Sequence, residues 1–234
     1  MLAIYKRELR SYFTGVIGYV FLVIYLAVAA VLFCYTTLFA MSAGVSSFYM
    51  LMLIFSAVVL PLLTMKSFSE ERKTKTEQLI LTAPVSIPRM VMGKFLAAYT
   101  VFGAAAILCS LYFLLLIPYA QLQYATLLGN ALALLLVGFV FISIGLFVSS
   151  LTESQLVAAI VSVVVDLGLL LVDSLASVMP NVTLQKAVMS LSMADRYGNF
   201  TMGILDFADT FFFLSVIALF IFLTGRVLEK RRWG

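Results

Sequence analysis

Two long stretches of this chain carry no charged residue, and they limit its possible folds more than any other feature. None lies between Arg10 and Lys66, a gap of 55 residues, or between Lys94 and Glu153, a gap of 58. A membrane-spanning helix needs about 20 apolar residues, so each gap has room for two spans and a short turn. With 64% hydrophobic and 11% charged residues, against about 25% charged residues in soluble domains, the chain has more apolar surface than a soluble core can bury.

Breaks inside these gaps divide them into separate apolar segments. A small, polar run at 42–47 ends the first segment, Pro118 ends the third, and a tight turn at 151–154 separates the fourth from the fifth. The last segment starts beside Asp206 and Asp209, because carboxylates are tolerated at the level of the lipid headgroups. The expected spans are 17–40, 48–65, 95–117, 128–150, 155–178 and 207–225. The sequence therefore predicts an all-α integral membrane protein with six transmembrane helices.

The basic residues indicate the orientation of these spans. Cytoplasmic segments of membrane proteins carry an excess of Lys and Arg. If both termini lie in the cytoplasm, thirteen of the fifteen basic residues fall on that side, and only Lys186 and Arg196 do not. We therefore expect a multi-pass protein of the cytoplasmic (inner) membrane with both termini inside. The basic net charge follows from this topology and does not indicate nucleic-acid binding.

The first sixteen residues have the pattern of an amphipathic helix. Their apolar residues recur at intervals that place them on one helical face, while the basic residues point away from it. The apolar face consists of Leu2, Tyr5, Leu9, Tyr12, Phe13 and Val16. This pattern predicts an interfacial helix over 1–16 that lies along the inner leaflet and contacts membrane lipid before the chain enters the first span.

The connection at 66–94, between the second and third spans, is long and dense in charge. Glu71 and Lys75 are four residues apart in the order that favours an ion pair on a helix. Such pairs predict a cytoplasmic helix over 67–82, which Pro84 ends. A charged helix on an otherwise apolar protein is either a solvated linker or a docking surface, and these residues alone leave both interpretations open.

Several chemistries are excluded by the residues that the sequence lacks. The chain has no histidine, the usual general base and metal ligand. It also has no phosphate-binding loop of the Gly-x-x-x-x-Gly-Lys-[Ser/Thr] type, so it does not bind ATP in that way. Cys34 and Cys109 lie inside expected spans, where buried cysteines usually act as small apolar residues. We expect no metal site, no cofactor and no catalytic residue in this chain.

Three stretches resemble the type-2 ABC transporter permeases, in particular the gliding-motility and copper-maturation-type branch of these exporters. The connection reads FSEERKTKTEQLILTAPVS at 68–86, followed by MGKFL at 92–96. The ends agree as well, with KRELRSYFT at 6–14 and LEKRRW at 228–233. One departure is Lys75, where that family usually has glycine; a lysine there is compatible with a continuous helix.

The resemblance implies one permease domain over 1–234 that works with other subunits. Two ABC ATP-binding subunits would bind ATP and Mg²⁺ and hydrolyse the ATP, so this chain itself is not an enzyme. A second permease copy or a sister permease, and an extracytoplasmic accessory subunit, are further expected partners. Alternating access would move substrate outward across the membrane. The implied coupling surface for the ATP-binding subunits consists of Phe68, Glu70, Glu71, Arg72, Thr76 and Glu77.

Acidic residues inside the fifth span are unusual and call for an explanation. Asp166 lies near the middle of that span, and Asp173 is two helical turns further on the same face. A mid-membrane aspartate costs about 2.5–3.5 kcal/mol on insertion scales, so it usually faces a cavity, a partner helix or an ion path. In the type-2 exporter fold the second and fifth helices border the central path. With Pro61 of the second span, these residues are candidates for the translocation path or the dimer seam.

The extracytoplasmic segment at 179–206 is too long for a simple turn. It mixes apolar and polar residues, which suits either a re-entrant or surface helix that caps the outer exit or a pair of short helices without a gating role.

Two other functions fit a polytopic membrane protein. An ATP-independent secondary transporter would also have polar residues in mid-membrane, but such proteins often contain inverted repeats. Here the connection at 66–94 has no counterpart in the four-residue turn at 151–154. A membrane anchor or assembly subunit would leave Asp166 unexplained.

Overall fold

The computed structural model describes residues 2–41, 44–76, 86–116, 118–119, 123–177, 179, 185, 188–189, 192–204 and 206–233. Within these ranges the protein is all-helical, without a strand. The helices are α1 (Leu2–Thr14), α2 (Val16–Phe33), α3 (Val45–Thr64), α4 (Lys66–Lys73), α5 (Ile87–Ser110), α6 (Tyr124–Leu151), α7 (Gln155–Leu170), α8 (Val172–Ser177), α9 (Met193–Thr201) and α10 (Phe207–Trp233). A π-helical turn, Cys34–Phe39, extends α2, and a 3-10 segment, Leu111–Leu116, extends α5.

Five helical segments in the described part of the chain are long and apolar enough to cross a membrane. They are Ile17–Phe39, Val45–Lys73, Ile87–Leu116, Tyr124–Leu151 and Phe207–Arg232. The expected span at 155–178 is not among them, because α7 has only 16 residues and a turn at Leu171 separates it from α8. Sixteen helical residues cover about 24 Å, less than the ~30 Å of a bilayer core. A sixth span therefore stays a prediction.

Helix α6 lies at the centre of the bundle. It packs against α3, α5, α7, α9 and α10, and also against α4. Two glycines permit these close contacts. A Cβ atom at Gly138 would lie 2.0 Å from the ring of Phe102, and one at Gly145 would lie 2.1 Å from Oγ1 of Thr64.

Helix α1 packs on the bundle through a face that shares four of its residues with the predicted apolar face. Tyr5 hydrogen-bonds through its hydroxyl to Thr100 of α5 at 3.1 Å, and the Tyr12 hydroxyl donates to the Leu63 carbonyl at 3.3 Å. Leu2 and Val16, which were expected on the apolar face, are 67% and 73% exposed. The inward face consists of Ile4, Tyr5, Glu8, Leu9, Tyr12 and Phe13. Hence part of the expected lipid-facing surface is used for contact within the protein.

The helix predicted over 67–82 is not continuous, because α4 ends at Lys73 and 74–76 form a turn. The Thr74 hydroxyl donates to the Glu70 carbonyl at 2.8 Å, a side-chain bond that competes with helix continuation. Lys75 then adopts a left-handed conformation with φ of 58°. The expected ion pair between Glu71 and Lys75 is therefore replaced by other partners of Glu71. Residues 77–82 of the predicted helix lie outside the described residues.

At the opposite end of the bundle from α4, helix α9 packs against α6. The α9 carbonyl of Phe200 would lie 2.6 Å from a Cβ at Gly129. Asp209, at the start of α10, is buried and accepts hydrogen bonds from Arg196 at 2.7 Å and from Asn199 at 2.8 Å. Burial and pairing, rather than exposure at the headgroup level, thus accommodate this carboxylate.

Candidate functional site

A cleft with a volume of about 690 Å³ lies between α1 and α4. Its walls are mostly charged or hydroxylated side chains. We call it the α1–α4 cleft, and it is lined by Arg7, Glu8, Ser11, Tyr12, Gly15, Ile17, Lys66, Ser67, Glu70, Glu71, Thr74, Thr76 and Lys94. Such a lining suits a polar partner surface rather than an apolar ligand.

Lys94 of α5 lies at the base of the α1–α4 cleft with only 2% of its side chain exposed. Its ammonium group donates to the Ser67 carbonyl at 2.6 Å and to Oε1 of Glu71 at 2.7 Å, and Oε1 of Glu8 is 3.4 Å away. It also lies 5.0 Å from the centre of the Phe68 ring. Because a buried cation is costly unless it is paired and hydrogen-bonded, these contacts join α5 firmly to α1 and α4.

Arg7 completes a balanced group of charges at this point. Its guanidinium donates to Oε1 of Glu8 at 2.6 Å and lies 3.5 Å from Oε1 of Glu71. The hydrogen bond to Glu8 raises the pKa of the Arg7 guanidinium above its usual value, and burial lowers it by less. We call Arg7, Glu8, Glu71 and Lys94 the ion cluster. It holds two positive and two negative charges from three helices.

The other side of α4 is held by Ser149 of α6. The Ser149 hydroxyl accepts from the backbone amides of Phe68 at 3.1 Å and Ser69 at 3.2 Å, and it donates to the Met65 carbonyl at 3.0 Å. Amide groups at the start of a helix lack intrahelical acceptors and are usually capped by a local side chain. Here the cap comes from another helix, which fixes α4 to α6.

Two arginines extend these connections to the turn between α6 and α7. Arg72 of α4 donates to the Leu151 carbonyl at 2.8 Å and pairs with Glu153 at 2.9 Å. Arg231, near the end of α10, donates to the Ser150 carbonyl at 2.6 Å. The ends of α4, α6 and α10 therefore meet at one end of the bundle, beside the ion cluster.

The residues predicted to form a coupling surface fall into two groups. Phe68 is 4% exposed, beneath Lys94, while Glu71 and Arg72 face internal partners. Glu70 and Thr76 are exposed and line the α1–α4 cleft. Glu77 lies outside the described residues. The structure thus brings the first group into the protein and leaves the second accessible to a partner.

Sequence reasoning missed Lys94, Glu8 and Ser149 as parts of this site. The partners of Lys94 are 23 and 86 residues away, and those of Ser149 are about 80 residues away. One signal was present, because Glu8 is the single acidic residue before Glu70 and Lys94 is the last charge before a 58-residue gap.

The acidic residues of the predicted fifth span have a different environment. Asp166 is fully buried on the face of α7 that packs against α3 and α6, and neither carboxylate oxygen has a hydrogen-bond partner among the described residues. Asp173, in α8, is half-buried, and one of its oxygens likewise lacks a partner there. Pro61 is buried inside α3. Asp166 and Pro61 therefore belong to neighbouring helices.

In the described part of the chain, no group of three acidic or cysteine residues could hold a metal ion.

The chain matches a known protein family over nearly its whole length. A family model described as ABC-2 family transporter protein matches residues 2–233 of the chain. A search of curated proteins found no match.

Proposed function

This chain belongs to the ABC-2 transporter family, and on that premise we propose that it is the permease of an ATP-driven exporter whose ATP-binding subunits dock at the α1–α4 cleft. Membership makes the chain a permease subunit of an ABC transporter and a multi-pass membrane protein. Such permeases associate with ABC ATP-binding subunits and are generally non-catalytic. The proposal adds the direction, the docking surface and the path of coupling.

The observation that carries this proposal is the connection between the α1–α4 cleft and the membrane-embedded helices. A partner that binds in the cleft meets two exposed residues, Glu70 on α4 and Thr76 in the turn after it. Any displacement of α4 then acts on α5 through Lys94 and on α6 through Ser149. Closure of two ATP-binding subunits on ATP and Mg²⁺ would in this way move the permease halves between inward- and outward-open states.

The contacts at this end of the bundle also support six spans with both termini in the cytoplasm. Arg7 on α1 reaches α4, Arg72 on α4 reaches the α6–α7 turn, and Arg231 on α10 reaches the same turn. The chain thus begins and ends on one side of the bundle, which requires an even number of crossings. In the proposal, α7 and α8 together make the crossing that neither is long enough to make alone.

The acidic face of α7 has a role in the same proposal. Asp166 and Asp173, with Pro61 on the neighbouring α3, would line the translocation path or the seam with a second permease copy or sister permease. An extracytoplasmic accessory subunit would bind at the opposite end, where α9 lies.

The docking proposal is tested by reversing an exposed charge in the cleft. Glu70→Lys leaves the ion cluster intact, and it should abolish co-purification of the ATP-binding subunits that accompany the wild-type chain from native membranes. Asp195→Lys, an equally exposed reversal at the start of α9, is the matched control and should retain them. Retention by Glu70→Lys would refute docking at the cleft, and substrate movement that persists without ATP would indicate a secondary transporter instead.

A further inference from the structure

The outward side of α1 carries basic residues that the ion cluster does not use. Lys6 and Arg10 are exposed, and neither side chain has a hydrogen-bond or ion-pair partner in the part of the chain that the structure describes. They lie four residues apart on one helix, a spacing at which like charges destabilise the helix. With Arg7, Ser11 and Thr14 they line a groove of about 470 Å³. This basic groove has the chemistry of a site for an anion.

The basic groove continues directly into an apolar surface. The chain turns at Gly15 from α1 into α2, and a Cβ atom at Gly18 would lie 2.6 Å from the Tyr12 carbonyl oxygen, so the two helices abut. The exposed side of α2 starts at this elbow with Val16, Tyr19 and Val20. A tyrosine at the edge of an apolar strip is typical of the membrane–water interface. Charge and apolar surface thus meet as they do in a phospholipid.

We propose that the basic groove binds the headgroup of an anionic phospholipid whose acyl chains lie along the exposed side of α2. Phosphate oxygens accept charge-assisted hydrogen bonds from lysine and arginine, and hydroxyl donors add to these. Basic segments beside a membrane attract anionic lipids of the inner leaflet. A protein partner has its own surface in the α1–α4 cleft, which opens toward α4.

The lipid site does not depend on the ATP-binding subunits, so the two proposals can fail separately. The site needs only that α2 spans the membrane and that α1 lies at the surface of the inner leaflet. If wild-type chain binds anionic lipid but brings no ATP-binding subunit from native membranes, the docking proposal fails and the lipid site stands.

The test uses the purified full chain in a neutral detergent, with phosphatidylglycerol and phosphatidylcholine of identical acyl chains as probes. Native mass spectrometry measures the bound lipid, and thermal unfolding measures the stabilisation that binding produces. Each basic residue near an anionic surface strengthens binding about fivefold, so Lys6→Gln/Arg10→Gln should lower the affinity for phosphatidylglycerol about 25-fold. The charge-preserving Lys6→Arg/Arg10→Lys should keep it.

A matched control removes two exposed charges elsewhere. Lys230→Gln/Arg232→Gln, at the end of α10, should leave the affinity for phosphatidylglycerol unchanged. Equal binding of both lipids by the wild-type chain, or full affinity in Lys6→Gln/Arg10→Gln, would overturn the proposal. So would competition by free glycerol phosphate at equal concentration, which indicates a phosphate site rather than a lipid site. If Lys6→Gln/Arg10→Gln no longer retains the ATP-binding subunits but binds phosphatidylglycerol with unchanged affinity, the groove is a site for a protein partner.

Discussion

Lys94 places its ammonium group where solvent scarcely reaches it, with 2% of the side chain exposed. Its three donors meet the Ser67 carbonyl and the carboxylates of Glu71 and Glu8, so the hydrogen-bonding capacity of an ammonium group is fully used. Buried ion pairs contribute little net stability, because desolvation offsets their attraction. Removal of one partner is different, since it leaves the other charge buried alone. The ion cluster is therefore better suited to holding three helices in register than to stabilising the protein.

A double-mutant cycle at the ion cluster tests this view. We expect Lys94→Met to destabilise the protein by roughly 3–5 kcal/mol, because Glu71 and Glu8 lose their buried cation. Lys94→Met/Glu71→Leu should be less destabilised than the sum of the single variants. Thermal unfolding of the purified chain in detergent measures both. Additive losses would show that the two side chains do not act as a pair.

The sequence could identify Glu71 as important but not its partner. Local spacing favoured Lys75, four residues away, whereas the fold supplies Lys94 from another helix. The same limit applies to Ser149, whose hydroxyl caps a helix far from it in sequence. Periodicity reports the contacts within one helix, and these partners depend on how helices pack.

Helix α4 ends at Lys73, although the spacing of Glu71 and Lys75 favours a longer helix. Helices often end with a residue in the left-handed conformation, a position at which glycine is favoured. Lys75 occupies such a position, with φ of 58° and its amide bonded to the Arg72 carbonyl at 3.1 Å. The glycine that the resemblance led us to expect there would suit this geometry. The lysine does not prolong the helix, contrary to what its helix propensity suggested.

Substitution at Lys75 gives a prediction for this element. Lys75→Gly should stabilise the end of α4 by about 1 kcal/mol, because a lysine with positive φ is strained and glycine is not. Lys73→Gly, at the last residue of the same helix, should destabilise it by up to about 1 kcal/mol. Hydrogen exchange of the α4 amides measures both effects. Equal protection in the two variants would exclude the left-handed end.

The close packing of α6 against α5 gives a second prediction about a single helix. Gly138→Ala should destabilise the bundle by about 1–3 kcal/mol, because the new Cβ atom would overlap the buried ring of Phe102. Gly168→Ala in α7, where no described atom beyond the local helix backbone lies within 4 Å of the added group, should be neutral or stabilise by up to ~1 kcal/mol. Thermal unfolding compares the two, and similar losses would argue against close packing at Gly138.

The elements themselves were largely accessible from sequence, because long apolar runs between charges specify membrane-spanning helices almost directly. The division of 155–178 at Leu171 was not, since the surrounding residues are mostly Leu and Val and no proline marks a break. Nor was the burial of Asp209, which needs Arg196 and Asn199 on a separate helix.

For the whole molecule, the expected arrangement places α4 and the end of α10 in the cytoplasm and α9 outside. A labelling experiment checks it in a background with Cys34 and Cys109 replaced by serine. Met202→Cys, at a position where the methionine is 75% exposed, should react with a membrane-impermeant maleimide on intact cells. Lys73→Cys should react only after the membrane is opened. The reverse pattern, or reaction of both on intact cells, would contradict six spans with internal termini.

Charge placement indicated this arrangement before any contact was known, because thirteen of fifteen basic residues fall on one predicted side. What the sequence could not supply is how the elements on that side are joined. Arg72 and Arg231 both donate hydrogen bonds to carbonyl groups at the α6–α7 turn. From the sequence alone, this turn is only a short connection between two helices. Their roles depend on which helix ends meet, and charge counting does not give that.

Attachment of α4 at two points has a mechanical consequence. The helix is about 12 Å long; Ser149 holds its first turn, and Arg72 ties its last turn to the Leu151 carbonyl. Because both anchors belong to α6, α4 cannot pivot on its own. In the proposed coupling, a push against the outer side of α4 would therefore be transmitted to the central helix α6 at both ends of α4.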